Sequence, residues 1–154
     1  MCSVFKVLVK DDFEYCSISE GAGATIYTLI NGTFAFPDNE WHDLPFSILD
    51  MWCWNLLQND RSKDAEFELC FMDGPFYIRC QRNGGEVNMR CIRESLQGEI
   101  VEAVCVESFA NLTRQVYETA CQLLNAFEAK QLGKLSGKRR LIKKLKRIRK
   151  RLLA

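Results

Sequence analysis

Residues 66–107 read EFELCFMDGPFYIRCQRNGGEVNMRCIRESLQGEIVEAVCVE. They contain four strand candidates, 66–72, 76–82, 86–94 and 100–107, broken by Asp73-Gly74-Pro75, Asn83-Gly84-Gly85 and Leu96-Gln97-Gly98. Each break is a short turn rich in glycine or proline. A parallel return needs a crossover of about a dozen residues, so gaps this short make neighbouring strands antiparallel. The stretch therefore predicts a four-stranded antiparallel meander.

Upstream of the meander, residues 43–58 predict a helix. Asp43 is placed to cap it, and Pro45 is tolerated in its first turn. Leu44, Ile48, Leu49, Trp52 and Leu56 recur at helical spacing, and Phe46, Met51 and Trp54 add apolar area elsewhere, which predicts burial on most sides. Further upstream, 4–10, 25–30 and 33–36 read as strands and 13–19 as a weaker one. Gly21-Ala22-Gly23 and Asn31-Gly32 are expected to form turns. Downstream, Ser108 is expected to cap a second helix carrying Phe109, Leu112, Val116, Ala120, Leu123 and Phe127, ending near Gly133. A final helix after Gly137 places Leu141, Leu145, Ile148 and Leu152 on one stripe. The fold class that follows is α+β: a single domain with an antiparallel sheet packed against helices and a basic C-terminal helix.

Charge divides the chain more sharply than its net value of +1 shows. Residues 1–129 hold all 20 acidic residues and nine basic ones, a net −11. Residues 130–154 hold twelve basic residues and no acidic one, a net +12. The organisation expected is an acidic α+β body over 1–132 and a basic amphipathic helix over 133–154, an asymmetry that points to charged partners. The 154-residue length fits one domain, and 47% hydrophobic residues with 17 aromatics exclude wholesale disorder.

The sequence offers little for chemistry. Its eight cysteines, Cys2, Cys16, Cys53, Cys70, Cys80, Cys91, Cys105 and Cys121, sit mostly among apolar residues and include no Cys-x-x-Cys pair. Lys6 interrupts the first apolar stretch and no secretory signal is evident, so reduced thiols and a cytoplasmic location are expected. His42 is the sole histidine, which leaves no His pair for zinc and no base beside a nucleophile. The glycines of 133–137 are one residue too close for a phosphate-binding loop, and Arg139 stands where that loop needs Ser or Thr. No enzyme, metal or cofactor is expected.

Two surfaces remain. Asp11, Asp12, Glu14, Glu20, Asp38 and Glu40 are candidate contacts for a basic partner. Lys138, Arg139, Arg140, Lys143, Lys144, Arg147, Lys150 and Arg151, reinforced by Lys146 and Arg149, fit three readings. The helix folds back on the acidic body, or it binds nucleic acid, or it lies on an anionic membrane. The membrane ranks last, because the helix lacks aromatic anchors. Oligomeric state is open.

Residues 31–43, NGTFAFPDNEWHD, followed by Ile48-Leu49-Asp50-Met51-Trp52 and by Phe71-Met72-Asp73-Gly74-Pro75-Phe76-Tyr77, resemble a pattern found in a group of small bacterial proteins. The resemblance runs from about Val4 to Phe127 and leaves out the basic helix. That group looks like immunity proteins of polymorphic or contact-dependent toxin systems. It implies a cytoplasmic protein that neutralises a cognate toxin domain by non-catalytic binding. Nucleic-acid binding through the terminal helix is the alternative.

Overall fold

The computed structural model describes residues 4–17 and 21–154. It is an α+β fold of two antiparallel sheets and three helices. The meander is present in the expected order: β6 (Asp64–Cys70), β7 (Phe76–Asn83), β8 (Glu86–Ser95) and β9 (Gly98–Ser108) pair each with the next. Alternation sends Phe67, Leu69, Ile78, Cys80, Val87 and Met89 inward, and all six are buried.

The other sheet is organised by β3 (Gly21–Ile30), a strand longer than its sequence suggested. One edge of β3 pairs with β1 (Phe5–Val9) and then β2 (Glu14–Ser17), the described part of the expected second strand. The other edge pairs with β4 (Phe34–Phe36) and β5 (His42–Asp43). Four short strands thus flank β3 as two interrupted ribbons. Gly21-Ala22-Gly23, expected as a turn, opens β3 instead. The segment pairs with β2 on one side and runs into the pairing with β5 on the other, and at Gly23 a Cβ would come within 2.8 Å of the end of the His42 side chain.

Helix α1 (Pro45–Gln58) packs against β3 and β6, and α2 (Phe109–Ala129) against β1 and β9, so the two helices join the sheets. Ser108 caps α2 as expected, its Oγ accepting from Asn111 N at 3.0 Å. The helix stops at Ala129 rather than near Gly133, with Gln131 turning the chain at φ 52°. Asp43 does not cap α1. Leu44 occupies that position, and Asp43 faces elsewhere. Among the apolar residues of α1, Trp54 is the exposed one, at 47%.

The basic segment is no detached appendage. Helix α3 (Lys138–Leu152) lies across α1 and α2, with Leu141, Leu145 and Ile148 buried in the common core. Each such side chain contributes about 1.5–3 kcal/mol by leaving water. The loop before α3 is pinned as well: Leu135 is buried, and Tyr15 Oη donates to Lys134 O at 2.9 Å.

Candidate partner-binding surfaces

The residues of the resemblance form a structural joint. Asp43 is 5% exposed, and its carboxylate accepts four hydrogen bonds. Trp41 Nε1 (2.9 Å), Met72 N (3.1 Å) and Asp73 N (3.1 Å) donate to Oδ2, and Leu44 N (2.7 Å) donates to Oδ1. One carboxylate therefore ties the β5 entry to the β6–β7 turn. Trp41 stacks edge-on against Phe76 at 5.1 Å, Phe36 meets Phe71 and Phe76, and Trp52 donates Nε1 to Cys70 O at 2.9 Å. Gly74, at φ 71°, leaves room for this, since a Cβ there would sit 3.0 Å from the Phe76 ring and 3.2 Å from Trp41. The motif ties β5, α1 and the β6–β7 turn together.

The acidic candidates are exposed, yet most have partners on their own chain. Asp11 lies 3.7 Å from Lys130 Nζ, Glu40 lies 3.7 Å from Lys10 Nζ, and Glu14 lies 3.6 Å from His42 Nε2. These pairs are long and solvent-facing, the kind that contributes little and exchanges readily. Asp12 accepts from Thr25 N at 2.9 Å and Thr25 Oγ1 at 2.5 Å. Partial burial pushes its pKa up, and the bonds from Thr25 outweigh that, so the net shift is downward. Asp12 thus joins the β1–β2 connection to β3. Asp38 is exposed and makes no hydrogen bond or ion pair among the described residues. Glu20 lies outside the described residues.

Lys10, Glu14, Thr25 and His42 share the outward face of the first sheet, so the groups near 10–14 and near 38–42 meet across β3. A second acidic stripe, not among the candidates from sequence, lies on the other sheet. Asp64, Glu66 and Glu68 project from the exposed side of the edge strand β6, alternating with buried Phe67 and Leu69. That alternation was visible in the sequence as the signal for it.

On α3 the cations fall into two sets. Lys138 pairs with Glu128, Lys144 with Asp50 at 2.7 Å and Arg151 with Asp60 at 3.3 Å. Arg139, Arg140, Lys143, Lys146, Arg147, Arg149 and Lys150 are exposed and form no ion pair among the described residues. A cavity of about 610 Å³ opens where α3 begins, lined by Phe127, Glu128, Lys134, Lys138, Arg139 and Arg140.

Chemical groups elsewhere are quiet. Burial pushes the Cys53 and Cys91 thiols up to about 12 and Cys105 to about 11, and Cys80 is raised well above its ordinary value. Thiols held protonated in this way are poor nucleophiles. His42 is an exposed residue on β5, with Asp43 on the opposite face, so the two do not form a dyad. Among the described residues no group of three or more His, Cys, Asp or Glu side chains is arranged to hold a metal. No helix among them is long and apolar enough to cross a membrane.

Comparison with family models, with curated proteins and with solved structures finds no match to this chain.

Proposed function

We propose that the chain is an immunity protein that neutralises a cationic toxin domain by covering it, without chemistry of its own. The observation that carries this reading is the acidic rim of the first sheet. Asp11, Glu14, Asp38 and Glu40 are exposed beside the Asp43 joint; the ion pairs of Asp11 and Glu40 are 3.7 Å long, and Asp38 makes none among the described residues. A basic partner competes easily for carboxylates held so weakly, and their summed potential speeds its approach. The resemblance of the Phe-Pro, Trp-x-Asp and Asp-Gly-Pro elements to those of toxin-neutralising proteins supports the same class of function.

The test is protection. A toxin domain encoded beside this chain is expressed in cells with and without it, and growth is followed. Rescue with a stable complex on gel filtration is the expected result. The double variant D38K/E40K should slow association at low salt and flatten its salt dependence. Unrelieved toxicity in cells that contain the folded chain would refute the proposal.

A further inference from the structure

We propose that the solvent face of α3 binds the phosphate backbone of a double-stranded nucleic acid. This goes beyond the inhibitor reading and uses a different surface. At about 100° per residue, Arg139, Lys143, Lys146 and Lys150 fall within roughly 60° of one another around the helix axis. That arc lies opposite the buried Leu141, Leu145 and Ile148. Arg140 and Arg147 flank it on one side and Arg149 on the other.

Along the axis the four central cations follow one another every 4.5–6 Å or so, over about 16 Å in total. A nucleic-acid strand presents a negative charge about every 3.4 Å of its axis, so a straight row of cations can meet several phosphates of one strand together. Self-neutralisation does not account for this row. The ion pairs that α3 makes with the body use Lys138, Lys144 and Arg151 and leave these seven cations over.

The same geometry argues against other occupants. A membrane-surface helix buries an apolar face in lipid, and here that face is already buried in the protein core. No aromatic or aliphatic side chain stands within the arc of Arg139, Lys143, Lys146 and Lys150, and half-buried Ile142 lies to the Arg149 side of it, so the row itself offers charge and no apolar centre for a protein partner. Single strands are held by stacking bases on aromatic residues, and α3 has none. What remains is a ligand with regular negative charge and its bases turned inward.

The experiment uses the full chain and fluorescence anisotropy with a labelled 20-base-pair duplex of mixed sequence, titrated with salt. The variant R139Q/K143Q/K146Q/K150Q removes the central row. The variant R61Q/K63Q/R90Q/R114Q removes as much charge from exposed positions on the body. Circular dichroism checks that both fold. The wild type and the body variant should bind alike. The row variant should lose about a hundredfold or more in affinity near 50 mM salt, with its log–log salt slope shallower by about 3–4. Equal loss in both quadruple variants would show a net-charge effect and overturn the assignment, as would no duplex binding near 50 mM salt. Tighter binding to the matching single strand, to polyglutamate or to phosphatidylserine vesicles than to the duplex would overturn it in favour of that class.

Discussion

Asp43→Ala removes one carboxylate that four donors share, and the structure sets the scale of the damage. A hydrogen bond to an ionised group contributes about 1.5–3 kcal/mol. Four such bonds at one site do not add fully, and water can reach half-buried Trp41, so the expected loss is about 3–5 kcal/mol of folding stability. Asp43→Asn separates charge from geometry. Its amide oxygen can stand at the Oδ2 position and keep Trp41 Nε1, Met72 N and Asp73 N, while its NH₂ turns towards the Leu44 N–H. That variant loses one bond and the charge, about 1.5–3 kcal/mol. Asp38→Ala, at an exposed carboxylate with no partner among the described residues, should stay within about 0.5 kcal/mol of wild type. Urea unfolding followed by tryptophan fluorescence measures all three. The ordering Ala below Asn below wild type is the signature of the joint. An Asp43→Ala protein within about 1 kcal/mol of wild type, at unchanged m-value, would show that aromatic packing alone holds the sheets together.

Two further predictions concern titration. Hydrogen bonds from Arg79 and then Tyr77 hold Glu99 at about 2, below its ordinary 4.5. The folded carboxylate thus takes up its proton at lower pH than the unfolded one. Its stabilising effect is present above pH 4.5 and lost as pH falls towards 2. Glu99→Gln should make stability against pH shallower across that window and leave it parallel to wild type above it; an unchanged acid limb would refute the assignment. With Cys53 and Cys91 pushed up to about 12, Cys105 to about 11 and Cys80 raised well above its ordinary value, these four thiols should resist a thiol reagent at pH 8 in the native protein and react fully in urea. Peptide mapping reads this directly, and rapid native labelling of Cys53 would contradict its burial.

The meander was legible because three kinds of signal coincide there: alternation, turn residues and short gaps. The first sheet was harder to read, for physical reasons. Its outer ribbons are interrupted at 10–13 and 37–41, so neither shows a long alternation. The central strand begins with Gly21-Ala22-Gly23, a composition that signals a turn locally, while its pairing with β2 is a contact between segments that this composition does not report. The Asp43 error has a similar origin. An Asp two residues before Pro45 has the local look of a cap, but two of its four partners are Met72 and Asp73, about thirty residues away, which no local pattern can report. The basic helix was visible from its charge and its stripe. Which cations would find partners depended on Asp50, Asp60 and Glu128, whose position beside α3 is a product of packing.

The energetics of α3 bear on why its charges are there. Among its seven unpartnered cations, three pairs stand at i,i+4 (139/143, 143/147, 146/150) and four at i,i+3 (140/143, 143/146, 146/149, 147/150). At about 0.2–0.5 kcal/mol each, the seven pairs cost the folded helix roughly 1.5–3.5 kcal/mol. Lys138, Arg139 and Arg140 also crowd the N-terminal turn, where the helix dipole disfavours cations and Gly137 offers no side-chain cap. Burial of Leu141, Leu145 and Ile148 contributes about 5–9 kcal/mol before ordering costs, enough to keep the helix docked against that repulsion. Docking explains how the charges are tolerated and does not explain why they are present. Glutamine at 139, 143, 146 and 150 would leave the stripe intact and relieve most of the repulsion. An anionic ligand on the outer face relieves it as well, and that is the condition under which the row stabilises the protein.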